Sequence, residues 1–376
     1  MSEIEIGRNK RGRRSYSFDD VAVVPSRRTR DPEDVSTSWQ VDAYHFDIPI
    51  FAAPMDSLMS PETAIALGEH GGLGVLDLEG LWTRYEDPSA QFDRIAAASD
   101  ADVVSVMREV YAEPVRPELI RDRIQQLRDA GVTAAGSLSP QRTQEHWKSV
   151  VDAGVDLFFI RGTTVSAEHV SETQEPLDLK KFIYELDVPV IVGGAAGYTP
   201  ALHLMRTGAA GVLVGFGGGA SSTTRRALGI RVPMATAISD IAEARRDYMD
   251  ESGGRYVHVI ADGGLGTSGD IIKALAMGAD AVMLGAALAR AEEAPGRGWH
   301  WGGEAAHPEM PRGDRTYVGT VGSMQEVMWG PGHHTNGASN LMGALKRAMA
   351  TTGYTDVKDF QKVEVLVAPD SRSHRA

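Results

Sequence analysis

The residues of this chain with the plainest chemical purpose are clusters of glycine beside hydroxyl and acidic side chains. The run from Gly215 to Arg225 (Gly-Phe-Gly-Gly-Gly-Ala-Ser-Ser-Thr-Thr-Arg) sets four glycines ahead of four hydroxyl residues. Such a loop lets the backbone approach a ligand, and its successive amides can converge on an anion. A flexible connector would also be glycine-rich, but the hydroxyls favour a binding loop. A second cluster is Ala261-Asp262-Gly263-Gly264, and a third is Leu284-Gly285-Ala286. The Asp262 carboxylate can accept two protons from a sugar diol; capping a turn or a helix is its other common use.

These clusters need elements to hold them. A recurring signal is a helix end, a glycine, and then an apolar run, as at Gly131, Gly154, Gly208 and Gly278. Glycine past a helix end supplies the left-handed cap that turns the chain back toward a strand. The apolar runs do not alternate, as expected of parallel strands buried on both faces. Eight occur: 48–54, 72–77, 133–138, 156–160, 189–194, 211–215, 257–264 and 280–285. Amphipathic stretches separate most of them: Pro61–Glu69, Pro117–Ala130, Glu145–Ala153, Pro200–Thr207 and Ser239–Met249.

This alternation predicts an α/β fold, a (β/α)8 TIM barrel with rim insertions at 101–130 and after 290; a doubly wound sheet is the alternative. The organisation expected is one barrel domain over 1–376, with an arm at 1–46, a core at 47–290, and a closing segment with a C-terminal helix at 291–376. In a barrel, loops after the seventh and eighth strands commonly hold phosphate. The clusters at Asp262 and Gly285 fall there, so the site predicted is one for a phosphorylated sugar or nucleotide.

Composition narrows the classes further. The 376 residues carry 38 basic and 51 acidic side chains, a formal charge of −13 that argues against nucleic acid and anionic membrane as partners. No apolar run approaches the roughly eighteen residues of a membrane span, and the first residues lack an apolar signal core, which favours the cytoplasm. There is no cysteine, so disulfides, thiolate metal sites and thiol nucleophiles are excluded. The basic stretch Arg8–Arg14 and the cluster Arg27, Arg28, Arg30 read as a solvated arm. His333 and His334, without a third ligand at metal spacing, read as loop residues.

Taken in order, the motifs resemble the IMP dehydrogenase/GMP reductase family. The resemblance runs through Ser17-Phe18-Asp19-Asp20, Ala53-Pro54-Met55-Asp56, Gly71-Gly72-Leu73-Gly74, the glycine-rich loop and 260–296. Residues 78–130 are too few for the regulatory tandem-repeat (CBS) domain often inserted there, so the chain resembles the short branch of IMP dehydrogenase-related proteins. The resemblance implies an NAD-dependent oxidoreductase taking IMP to XMP, a homo-tetramer, a bound monovalent cation such as potassium, and no flavin.

By matched position it implies that Met55 packs on the purine and that Asp262 holds the ribose. Gly264, Gly285 and Ala286 surround the phosphate, Ser221 and Gly263 fall at further substrate positions, and Tyr317, Gly319 and Gly322 belong to a segment closing over phosphate and base. Arg161, Gly162, Ala195, Gly215 and Gly217 fall at cofactor positions. Carbonyls of Gly217, Gly219 and Ser222 fall at a monovalent-cation site, and Ser222 with Thr224 at catalytic ones.

The departures matter as much. Ser222 stands at the family's cysteine nucleophile, Ala220 at a phosphate-contacting serine, Arg161 at the aspartate for the nicotinamide ribose, and Ala195 at an asparagine. The flap with its Arg-Tyr pair is cut short between Gly322 and Asn340. A thiolate is populated at neutral pH, whereas a serine hydroxyl needs an adjacent general base. The local sequence offers none; His333 and His334 are the only distant candidates. Nucleotide-side groups thus survive better than cofactor-side ones. Three readings follow: an oxidoreductase of the IMP dehydrogenase type, a lapsed enzyme that binds a purine nucleotide in a regulatory or partner role, or an unrelated phosphate-binding barrel such as a flavin enzyme, which would purify yellow.

Overall fold

Each of the eight apolar runs becomes a parallel strand. They are β1 (Ile50–Ala52), β2 (Leu73–Asp77), β3 (Ala135–Leu138), β4 (Leu157–Arg161), β5 (Val190–Ala195), β6 (Gly211–Val214), β7 (His258–Asp262) and β8 (Ala281–Leu284). In the computed structural model, which describes residues 3–172, 175–222, 224–303 and 315–367, each pairs with the next in sequence. β8 returns to β1, with Val282 opposite Ile50, so the sheet is a closed barrel rather than a doubly wound sheet. The strand ends are apolar on both faces because both are covered. Phe51, Val75, Phe159, Leu213 and Ile260 fill the interior, while Ile50, Phe158, Val192 and Val212 pack outward under the helices.

A barrel helix follows each strand: α1 (Pro61–Glu69), α2 (Pro117–Asp129), α3 (Pro140–Asp152), α4 (Leu179–Tyr184), α5 (Tyr198–Met205), α6 (Met234–Ser252), α7 (Ser268–Ala276) and α8 (Leu341–Thr351). Gly131, Gly154, Gly208 and Gly278 all take positive φ after helix ends, as the sequence pattern required. Helix α3 begins five residues before the expected Glu145, because Ser139 caps it by accepting from the Arg142 amide at 3.3 Å and Pro140 follows in the first turn.

The rim insertion falls partly within the expected 101–130 and begins earlier. Residues 117–129 are the barrel helix α2, and the extra elements are the helices Ser89–Ala97 and Val103–Val110. These bury Leu81, Phe92, Ile95 and Met107 against Trp301 in a core of their own. After β8 the chain crosses the mouth of the barrel, where Trp299–His300 pairs with Thr316–Tyr317. Only then does it descend through α8. Among the described residues no helix is long and apolar enough to cross a membrane.

Candidate functional site

The C-terminal ends of the strands open on a cavity of about 1410 Å³. Its walls combine the three glycine clusters recognised in the sequence with strand ends from the opposite side. Met55 follows β1; Gly263 and Gly264 follow β7; Gly285 and Ala286 follow β8, and all line it. The loop after β6 contributes Gly215, Gly217, Gly219, Ser221, Ser222 and Thr224; Thr223 lies outside the described residues.

Glycine is demanded at two points of that loop. A Cβ on Gly215 would stand 1.8 Å from the carbonyl oxygen of Asp262, so the ends of β6 and β7 can meet only without a side chain. Gly217 has φ +69°, and a Cβ on it would stand 2.8 Å from the Ile230 carbonyl oxygen. Ser222 is half-buried, and its amide donates to the Gly219 carbonyl at 3.2 Å. One of the three carbonyls expected at a cation site therefore already accepts a bond within the loop. Thr224 is buried beneath, and its hydroxyl makes no hydrogen bond among the described residues.

Arg161 and Gly162, at the end of β4, line the same cavity. The Arg161 guanidinium reaches across the barrel to Asp262, with Nε 2.9 Å from Oδ2 and Nη2 3.4 Å from Oδ1. Both side chains are largely buried, 19% and 13% exposed. The carboxylate expected to hold a ribose diol is thus already engaged by a fixed cation, with part of its lone-pair capacity used.

Four expected site residues do not line the cavity. Ala195 is buried in the wall at the end of β5, where its carbonyl accepts from the Gly215 amide at 2.9 Å. Tyr317 is 63% exposed, pairing with Trp299 and meeting its ring edge-on with centroids 5.0 Å apart. Gly319 donates to the Gly298 carbonyl, and the Gly322 carbonyl accepts from Glu292. The antiparallel pairing with Trp299–His300 holds this segment against the rim. His333 is exposed and turns to Glu326, with Nε2 3.3 Å from Oε1. Neither it nor His334 lines the cavity, which removes the only distant general bases the sequence suggested for Ser222.

Several ionisable groups were missed. Asp77 ends β2 and lines the cavity; a carboxylate at a barrel strand's C-terminal end was a legible signal, the one that marked Asp262. Burial, then the charges of Asp56 and Glu79, push the Asp77 carboxyl well above the usual carboxylate range. Asp56 is buried and pushed up to about 6, burial outweighing its bonds from the Tyr111 hydroxyl at 2.7 Å and the Leu81 amide at 2.9 Å. Tyr111 in turn accepts from the Trp301 indole at 2.8 Å, which ties the rim insertion to the segment crossing the mouth.

Beside Trp301, His300 lines the cavity at Gly285. It is pushed down to about 4, first by burial and then by the positive charges of Arg290 and Arg161. Nothing local in the sequence marks it.

Comparison with known proteins agrees with this geometry. A family model described as IMP dehydrogenase / GMP reductase domain matches residues 15–374. An uncharacterized oxidoreductase of Mycobacterium leprae is 51% identical over 373 residues, covering 97% of this chain and 100% of the relative. The inosine-5'-monophosphate dehydrogenase of Methanocaldococcus jannaschii is 27% identical, covering 76% of this chain and 74% of its own. A crystal structure of an IMP dehydrogenase/GMP reductase-like protein from Corynebacterium glutamicum superposes with a TM-score of 0.92 at 50% identity, covering 97% of both chains.

Proposed function

Because the chain belongs to the IMP dehydrogenase / GMP reductase family of oxidoreductases, we propose that its cavity takes a purine nucleoside monophosphate as an IMP dehydrogenase-type substrate. One observation carries the reading. The loop after β6, the glycine pairs after β7 and β8, Met55 and Asp262 all converge on a single cavity at the barrel mouth. The phosphate lies at Gly264, Gly285 and Ala286, where a barrel commonly binds one. The ribose shares Asp262 with Arg161, and Met55 supports the base.

The other half of the cavity does not fit a nicotinamide ribose. Arg161 offers donors only and Ala195 offers no polar side chain, so neither position accepts from a diol. No step is therefore routed through NAD. Ser222 faces the cavity, and its hydroxyl has no imidazole or carboxylate partner among the described residues. It lacks the base that would make it a nucleophile.

The Arg161–Asp262 pair and the unassisted Ser222 favour a second reading: a protein that binds the nucleotide without turning it over and acts through a partner or as a sensor. One experiment separates the two. Purified protein is incubated with IMP, NAD and potassium, and NADH absorbance is followed for hours. NADH that disappears in Ser222→Ala carries the oxidoreductase reading. No NADH, together with calorimetric binding of IMP, XMP or GMP, carries the second. Binding of none of the three overturns both.

A further inference from the structure

At the end of the cavity where the phosphate is placed, one buried imidazole faces inward. His300 is 1% exposed. A Cβ on Gly285 would meet its Cε1 and Nε2 at 3.4 Å and the Met55 sulfur at 3.7 Å, so that edge of the ring forms the cavity wall. The opposite edge is anchored. Nδ1 lies 3.1 Å from the Ser57 hydroxyl, which donates to the Trp301 carbonyl at 3.0 Å and accepts from the Trp301 amide at 3.2 Å.

A hydroxyl has one proton to give. With that proton on the Trp301 carbonyl, the Ser57 oxygen can only accept from His300. This places the ring proton on Nδ1 and leaves Nε2 bare toward the cavity. A bare lone pair repels an anion. The alternative tautomer would turn the Ser57 hydroxyl to the ring and strip the buried Trp301 carbonyl of its donor, a desolvation cost.

We infer that His300 is a ligand-binding residue of the anion subsite: an anion beside Gly285 draws one solvent proton onto Nε2 while Nδ1–H stays on Ser57. The inference rests on the reading that the loops after β7 and β8 hold phosphate. Proton uptake then accompanies anion binding, and affinity rises as pH falls.

The charges around the ring agree. In the free protein Arg290, on the turn after β8, and Arg161, on β4, oppose its protonation. A bound anion offsets both and adds attraction of its own. Other ionisable groups near this segment include Asp262, held by Arg161; Asp56 and Tyr111 behind Trp301; Asp77, 3.9 Å from a Cβ placed on Gly303; and Arg315, 3.7 Å over the ring of Trp299. Asp56, at about 6, also titrates in the relevant range, so the test compares slopes between proteins rather than reading one slope.

Sulfate is the probe, because it stays doubly charged across the range. Calorimetric titration at pH 8, 7, 6 and 5.5 is expected to show affinity rising at least fivefold toward acid in the natural protein and by less than twofold in His300→Gln. Nitrogen NMR of the imidazole, assigned by loss of its signal in that variant, is expected to show both ring nitrogens protonated once sulfate is bound at pH 6. Equal slopes overturn the inference, as does no sulfate binding, a ring that stays neutral, or one that merely moves its proton to Nε2. Were His300→Gln to fail to fold, the sulfate response of the histidine spectrum in the natural protein decides by itself, since one imidazole must change from neutral to charged. The outcomes separate from those for the nucleotide reading. IMP bound with a neutral His300 overturns only this inference, and pH-dependent sulfate binding without any purine nucleotide overturns only the other.

Discussion

The two ends of the barrel each hold an arginine paired with an aspartate, and the pairs do different things. At the N-terminal end Arg245 lies 2.7 Å from Asp280, with both side chains below 8% exposure. Asp280 also accepts from the Val259 amide at 2.9 Å, the Tyr256 hydroxyl at 2.6 Å and Gln361 at 2.9 Å. Burial pushes its carboxyl up, but Arg245, Lys358 and His258 together hold it below the usual range. At the C-terminal end Arg161 meets Asp262 in a wall that opens on the cavity, at 19% and 13% exposure. Each pair has a histidine nearby, half-buried His258 and buried His300, and desolvation lowers both. The same pairing is thus filled by the chain at one end and left facing a cavity at the other.

Breaking the closed pair has the largest expected effect. Arg245→Ala strands a buried carboxylate and is expected to cost about 3–5 kcal/mol in denaturant unfolding. A loss below about 1 kcal/mol would mean that Tyr256, Gln361 and Lys358 hold Asp280 without the guanidinium.

The acid limb comes next. His300 at about 4 lies below the ordinary imidazole value of roughly 6.5, so below that pH the unfolded chain takes a proton that the fold refuses. Stability therefore falls as pH drops from 6.5 to 4, by up to about 3 kcal/mol. Asp56 works in the opposite direction: raised to about 6, it favours the fold increasingly as pH falls through that value. His300→Gln is expected to reduce the acid loss, with raised Asp56 and Asp77 opposing what His258 leaves of it; an unchanged acid limb would show that His300 titrates normally.

Smaller still are changes at the open pair. Asp262→Asn is expected to weaken IMP binding about tenfold, equivalent to about 1.4 kcal/mol, with a smaller penalty for the 2′-deoxy analogue. Equal losses for both nucleotides would place the ribose elsewhere. Arg161→Ala is expected to change stability by about 1 kcal/mol or less, since the pair is only partly shielded from water, and to tighten IMP a few-fold by releasing Asp262. A stability loss as large as that of Arg245→Ala would erase the contrast between the two ends.

Local chemistry made much of this legible in the sequence. Gly131, Gly154, Gly208 and Gly278 announced their helix ends because a left-handed cap is a one-residue requirement, and the neighbouring apolar runs announced strands buried on both faces. Asp262 was visible as a carboxylate at a strand end, and Ser222 through its place in the glycine-rich loop. The rim insertion was placed correctly at Val103–Val110 but carried too far, because Pro117–Asp129 is amphipathic whether it covers a barrel or decorates one. Arg161 was conspicuous by type but not by partner, which lies 101 residues away. His300, between two tryptophans, had no signal at all; its orientation depends on Ser57, 243 residues distant.

By itself, then, the sequence determined the barrel, the order of its strands and the glycine clusters at its mouth, because caps, periodicity and the space a side chain fills are settled within a few residues. Only the tertiary structure decided that Arg161 engages Asp262, that Tyr317 lies on the rim and that His300 faces the cavity neutral. Pairing and desolvation are set by whatever stands across the barrel, and that neighbour is fixed only when the eighth strand closes on the first.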